Sequence, residues 1–331
     1  MRNMEAQMYG VKLQNPLVVG ASSFTARLKK IKEMESAGVA AIVVKSLFEE
    51  EIQLERMHME ESLNQYNNLH AEMISQYPAM DHAGNREHLL MVKHIKESVS
   101  IPVIASVNAV TPDGWVQYAV DLANMGVDAL ELNFYTLPVK ETVSPHKIEE
   151  DQCEILRSVK SNVSIPVGVK ISPYYTHLFH FSQSLENAGA DGITMFNRFF
   201  QPDIDIVNEK EMTTFSFSQT GDNLLHLRWI GLLKDRVSIP LTASNGVLDG
   251  EDMIKALLSG ADSAQVVSTL YKNGVGHLTA MLNELEKWMT DNEYESIDDF
   301  KGKLSKSRQR DPWSYERVQY IEMLLRKGNT P

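Results

Sequence analysis

The sequence predicts an α/β fold, a (β/α)8 TIM barrel. Three observations point there: the number of apolar runs, the punctuation between them and the polar residues that end them. Eight short runs are continuously hydrophobic: Leu17 to Ala21, Ala40 to Val44, Val103 to Val107, Ala129 to Leu132, Val167 to Val169, Gly192 to Phe196, Leu241 to Ala243 and Ala264 to Val267. Unbroken hydrophobicity marks strands covered on both faces, as in parallel sheets. Eight such runs separated by helical segments, in a chain of 331 residues, favour a closed barrel over an open doubly wound sheet.

Each element carries its own signal. The residues before Asn15 are expected to form a short hairpin plugging the bottom of the barrel. The tetrapeptide Val-Ser-Ile-Pro occurs at Val99 to Pro102, Val163 to Pro166 and Val237 to Pro240, each time ahead of an apolar run. Proline suits the first residue of a strand, where its missing N–H leaves no gap in the ladder. Gly38, Gly126, Gly189 and Gly260 each close an amphipathic segment, such as Gln117 to Met125 or Ile254 to Ser259. Glycine just past a helix supplies the left-handed cap, so these positions read as helix-to-strand joints. Long connections follow the second, fourth and sixth strands: 46–98, 134 to about 151, and 198 to about 224. In a barrel, loops that follow strands sit at the catalytic mouth. With no linker in sight, residues 1–331 read as one barrel domain with an N-terminal segment 1–14 and a helical tail 292–331. The tail's charged run Lys301 to Arg310 reads as a solvated face.

Composition narrows the function. Asp and Glu number 44 against 32 Lys and Arg, a net charge of −12, and such a surface repels a phosphate backbone, so no nucleic-acid partner is expected. No stretch approaches the roughly 18 apolar residues of a membrane helix, and the N-terminus lacks a secretory core. The lone cysteine, Cys153, rules out an internal disulfide. A cytoplasmic protein acting on a small molecule, with no membrane partner, is the expectation. His70, His82, His88, His94, His177, His180 and His226 lack paired zinc spacing, so no metal is expected. Glu49, Glu50 and Glu51 read as a solvated helix start, and the His177/His180 pair as an exposed helix start.

The strand ends carry the chemistry, because barrel geometry places them at the mouth. In order they are Ser22 with Ser23, Lys45, Asn108, Asn133, Lys170, Asn197, Asn245 with Gly246, and Ser268 with Thr269. Asn245, Gly246, Ser268 and Thr269 follow strands 7 and 8, where barrels commonly bind phosphate through backbone N–H groups and hydroxyls. Lys45 and Lys170 place positive charge at the mouth. That charge suits the pyrimidine edge of a flavin, or else an imine-forming lyase. Asn108, Asn133 and Asn197 offer donors and acceptors to a planar heterocycle with amide edges.

These residues lie within segments whose order matches a known family. The segments are GVKLQNPLVVGASS, VVKSLFEEEI, GVDALELN, IPVGVKISP, GADGITMFN, IPLTASNG and SGADSAQVVSTLYKNG. On them the chain resembles the dihydroorotate dehydrogenase family, FMN-dependent barrels, and in particular the soluble class 1 enzymes, from about Tyr9 to Leu304. The resemblance implies FMN with its phosphate near Gly246 and Ser268, Ala21 and Ser22 against the ring, and Lys170 at the N1/O2 edge. Lys45 would face flavin and substrate, and Asn133 and Asn197 would surround both. It also implies a homodimer and a reaction that oxidises the C5–C6 bond of dihydroorotate, with hydride passing from C6 to flavin N5.

The chain departs from the family pattern at several positions. Thr136 stands where class 1 enzymes carry the cysteine base, and Pro138 replaces a substrate-binding asparagine. Arg198 replaces a serine, Val267 replaces a glycine, and Asn245 stands in a double-glycine motif. Asn64, Asn67 and Asn68 are the candidate counterparts of an asparagine-rich loop. Two alternatives stay open: a flavoprotein acting on a different small anion, its pocket reshaped by Arg198 and Tyr135, and a non-flavin lyase using Lys45 or Lys170 as imine former.

Overall fold

The computed structural model describes residues 2–50, 83–139, 141–199, 201–213, 216–309 and Tyr315. Asn64, Asn67, Asn68, His70 and His82 lie outside the described residues.

Eight parallel strands close a barrel in the order β11-β12-β3-β4-β5-β6-β7-β8. They are β3 (Leu17–Val19), β4 (Ala41–Phe48), β5 (Val103–Asn108), β6 (Ala129–Asn133), β7 (Val167–Ile171), β8 (Ile193–Met195), β11 (Leu241–Ser244) and β12 (Ser263–Val266). All eight coincide with the predicted runs, and helices connect them along the outside, from Leu28–Ser36 through His277–Asp291. The remaining strands form two antiparallel hairpins: β1 (Ala6–Met8) with β2 (Val11–Leu13), and β9 (Pro202–Asp205) with β10 (Lys210–Thr213).

The two sequence signatures turn out to be halves of one contact. Pro102, Pro166 and Pro240 stand immediately before β5, β7 and β11, and their carbonyls accept from the neighbouring strands at Ile42, Leu130 and Ile193. The next residue of each strand is clasped by the aspartate that follows a joint glycine. Asp128 accepts from the Val103 N–H at 2.7 Å, Asp191 from Val167 at 2.6 Å and Asp262 from Leu241 at 3.0 Å. In return the backbone N–H of each aspartate donates to the carbonyl of the same strand residue. A lysine completes each clasp: Lys96, Lys160 and Lys301 respectively. A hydrogen bond to a charged acceptor contributes about 1.5–3 kcal/mol, so the three clasps fasten the bottom rim. At the first joint Ala40 occupies the aspartate's place and has no carboxylate. Asn15 serves instead, accepting from the Leu17 N–H at 3.0 Å and donating to the Gly38 carbonyl. The joint glycines have the expected left-handed φ, from +84° at Gly126 to +121° at Gly260.

The hairpin expected ahead of Asn15 is present and plugs the barrel. Its tip residue Tyr9 is fully buried. A Cβ added to Gly168 would sit 2.0 Å from the Tyr9 ring, so that glycine exists to admit the plug. Met8, Tyr9 and Leu13 pack with Val18, Ala41, Val43 and Ile104 as an inner core, separate from the larger layer between strands and helices.

Several expectations are corrected. β4 continues past Val44 to Phe48 through an irregularity between Val44 and Leu47, so Lys45 and Ser46 lie within a strand. Glu49 is buried rather than solvated, accepting from the N–H groups of Val110 and Thr111 and from the Thr111 hydroxyl, which fixes the turn after β5. The His177/His180 pair is an exposed helix start as expected, and His177 caps the helix Leu178–Asn187, its ring Nδ1 accepting from the His180 N–H at 3.0 Å. The tail through 309 is a short 3-10 turn, Ile297–Asp299, followed by turns rather than a helix. Its anchor is the fully buried Phe300, and Gly302 at φ +69° reverses the chain. Among the described residues no helix is long and apolar enough to cross a membrane.

Candidate active site

The C-terminal ends of the strands surround a cleft of about 310 Å³, within the usual range for a ligand site. Eleven of the residues expected from the sequence line it: Ala21, Ser22, Ser23, Lys45, Asn133, Lys170, Asn197, Arg198, Asn245, Gly246 and Ser268. Parallel strands in register bring them together. Asn133 on β6 pairs with Lys170 on β7, and Lys170 with Thr194 on β8. Asn133 and Asn197 are bonded to each other, the Asn197 amide donating to Asn133 Oδ1 at 2.7 Å.

The side of the mouth after β11 and β12 presents backbone. Asn245 and Gly246 are consecutive left-handed residues, φ +79° and +73°, and a Cβ on Gly246 would meet the Asn223 nitrogen at 2.3 Å, so only glycine fits. Three helix starts that follow barrel strands are closed by side chains: Thr111 caps Pro112–Asn124, Ser144 caps Pro145–Asn162 and Asp249 caps Gly250–Ser259. The helix Ser268–Asn273 has no side-chain cap. Its first N–H groups are therefore available to an anion. Segment 216–218 reaches over from the β8 loop: the Ser218 N–H donates to the Ser268 hydroxyl and the Ser218 hydroxyl to Asn245 Oδ1.

The floor holds two residues that the strand-end reading did not single out. Glu131 and Gln265 sit mid-strand, fully or nearly fully buried, yet both line the cleft. Their signal in the sequence was a carboxylate and an amide inside the apolar runs ALELN and SAQVV. Lys170 Nζ donates to Gln265 Oε1 at 2.8 Å, and Gln265 Nε2 donates to Glu131 Oε2 at 2.7 Å. Two buried polar atoms here lack protein partners, the Ser22 hydroxyl and Glu131 Oε1. An unpaired buried polar atom costs about 1–3 kcal/mol, so a site with such atoms is built for a ligand.

Three expected residues lie elsewhere. Asn108 is buried at the end of β5, level with Phe48, and Thr269 donates to the Leu248 carbonyl. Thr136 lines a neighbouring groove of about 660 Å³ with Tyr135, Tyr175 and Phe199. There its hydroxyl accepts from the Gln152 amide at 3.1 Å, and Gln152 in turn accepts from the Tyr175 hydroxyl. Arg198 lines the cleft with its charge engaged, donating to Asp222 at 2.9 Å and to the Ser216 hydroxyl. Beside it the unexpected His226 is buried, its Nδ1 bonded to the Ser244 carbonyl at 3.1 Å. Burial pushes that imidazole down to about 4, despite the opposing pull of the Ser244 and Asn245 backbone. It is neutral at physiological pH.

Comparison with known proteins agrees with this arrangement. Residues 3–289 match the family model described as dihydroorotate dehydrogenase. Among curated relatives, the dihydroorotate dehydrogenase B (NAD(+)) catalytic subunit of Thermoplasma volcanium is 25% identical, the match covering 91% of this chain and 98% of that protein. The subunit of the same name from Pyrococcus abyssi is 23% identical over 90% of this chain and 98% of its own. That of Anoxybacillus flavithermus is 30% identical over 56% of this chain and 63% of its own. The chain belongs to the dihydroorotate dehydrogenase family.

Proposed function

We propose that the protein is an FMN-dependent oxidoreductase of the dihydroorotate dehydrogenase type, oxidising a CH–CH bond in a small cyclic anion, with dihydroorotate the leading substrate. The observation that carries this reading is the convergence, in one cleft, of two lysines, a bonded asparagine pair and an uncapped helix start. The residues present fit FMN. The uncapped turn at Ser268 and the left-handed backbone at Asn245 and Gly246 suit its phosphate, the unpartnered Ser22 hydroxyl and Ala21 suit the ring, and Lys170 supplies positive charge at the floor. When bound, FMN supplies a hydride acceptor.

The chain's own residues do the rest. Lys170 favours the build-up of negative charge at the floor of the cleft, which makes reduction easier. Lys45 attracts an anionic substrate to the mouth. The Asn133–Asn197 pair offers a fixed donor and acceptor to an imide edge, so orientation is settled before reaction. In this reading Asn108 and Thr269 shape the rim from behind. Thr136 holds the base position of the family, but its hydroxyl is bonded to an amide donor, which leaves it unactivated. That placement, with Arg198 at the cleft, favours a second reading: a family member acting on a different small anion. The relatives are named as catalytic subunits of an NAD(+) enzyme. Those names support electron transfer onward through a partner subunit; a cytoplasmic setting and a homodimeric catalytic chain belong to the same proposal and rest on the family resemblance alone.

An anaerobic titration of the purified protein with dihydroorotate, followed at the visible flavin bands, tests the proposal. Bleaching supports dihydroorotate. A flavin spectrum that dihydroorotate leaves unchanged supports the second reading. Colourless protein that takes up no added FMN overturns both and revives the imine-forming alternative.

A further inference from the structure

A continuous polar chain runs through the barrel interior from the N-terminal plug to the cleft, and of its members only Lys170 enters the reaction outlined above. The Tyr9 hydroxyl donates to Glu131 Oε2 at 2.8 Å and shares a 2.5 Å bond with the Thr194 hydroxyl. Glu131 Oε2 also receives the Gln265 amide, whose oxygen receives Lys170. The direction of every bond is determined. A lysine ammonium only donates, so Gln265 Oε1 must face it and Gln265 Nε2 must face Glu131. Burial, with the nearby Glu131 carboxylate, pushes the Tyr9 phenol well above its usual range, so it stays a donor. Thr194 therefore donates to Tyr9. Only Glu131 Oε1 is left over, lining the cleft.

A carboxylate fully enclosed in a barrel is costly unless it is matched to a charge. Gln265 stands between it and Lys170 as the link. We propose that Glu131 and Gln265 are positioning residues for Lys170: the buried carboxylate, acting through the Gln265 amide, holds the lysine ammonium at one place on the floor of the cleft, where it would meet the ring of a bound flavin. This rests on the flavin reading above. Because Lys170 has four rotatable side-chain bonds, without this tether its charge would spread over many positions and its effect on the ring would fall.

The test is a double-mutant cycle on FMN binding and on the midpoint potential of the bound flavin. Gln265→Leu changes no net charge, so a shift in potential that disappears when Lys170 is absent reports the tether. With Lys170 present, Gln265→Leu is expected to weaken FMN binding by about three- to tenfold and move the midpoint potential to a more negative value. In a Lys170→Met background the same change is expected to alter binding less than about twofold and to leave the potential in place. Glu131→Gln is expected to behave likewise for binding. Tyr9→Phe, placed away from the cleft, gives a milder version of the same loss should the other two variants fold poorly. Effects of Gln265→Leu that add fully to those of Lys170→Met, in affinity and potential alike, would overturn the proposal while leaving the flavin reading standing. Wild-type protein that does not bind FMN overturns both.

Discussion

At the bottom of the barrel, Asp128, Asp191 and Asp262 each hold the first amide of a strand and a lysine, so every charge has a fixed partner. At the mouth, Ser22 and Glu131 keep polar atoms with no protein partner, and the helix Ser268–Asn273 begins uncapped. The same strands supply both ends. Satisfied polar groups at one end stabilise the fold, and unsatisfied ones at the other leave binding free energy available to a ligand. Changes at the bottom should cost stability without touching binding, and changes at the mouth should do the reverse.

The largest expected effect is at the bottom. Asp262→Ala removes the acceptor of the Leu241 N–H and leaves Lys301 to Asp298 alone, and is expected to cost about 3 kcal/mol in urea unfolding. FMN affinity should stay within about twofold of wild type. A parallel loss of affinity would break the division between the ends. At the mouth, Lys170→Ala is expected to slow flavin reduction by about 100-fold in stopped-flow measurements while costing less stability than Asp262→Ala. Unchanged reduction with FMN bound would remove the lysine from the chemistry.

A third prediction concerns His226, which lies under the mouth yet acts on stability. Its folded value of about 4 lies below its ordinary 6.5, so between these the unfolded chain binds more protons. Stability from this group is thus intact above about pH 6.5 and falls as the pH drops toward 4, by about 1 kcal/mol at pH 5.5. Unfolding midpoints measured from pH 7 to 5 should show a shallower acid limb in His226→Asn. An identical limb would exclude this histidine as the source. The smallest effect is expected from Thr136→Ala, which should alter flavin reduction by less than about threefold, because the hydroxyl is bonded to Gln152 outside the cleft. A drop of 100-fold or so would instead bring that loop into the chemistry.

The same division explains what could be read from the residues alone. The eight strands were legible because a parallel strand is apolar on both faces and interrupts the helical period. Val-Ser-Ile-Pro and the Gly-x-Asp joints were each legible as local punctuation. Their pairing was not, because Val103 and Asp128 meet only once a helix has carried the chain back to the bottom. Strand-end residues were legible wherever the strand simply stops, as at Asn133 and Lys170. They were misplaced where tertiary contacts redirect the chain. Glu49 is drawn inward by two amides and a hydroxyl from the β5 turn, and Thr136 is turned aside by Gln152 from the next helix. Glu131 and Gln265 are illegible as site residues because they sit mid-strand, where a polar side chain in an apolar run gives no sign of which way it faces.

The plug has a consequence for the order in which the chain is made. Tyr9 leaves the ribosome more than a hundred residues ahead of Glu131 and Thr194, which its hydroxyl requires, and of Gln265, which completes the chain of bonds. The hairpin must therefore wait, its tyrosine still hydrated, until nearly the whole ring of strands has been translated. Its docking is a late act of vectorial synthesis, and a nascent chain halted short of β12 would lack the Gln265 link that joins the plug's bonds to Lys170.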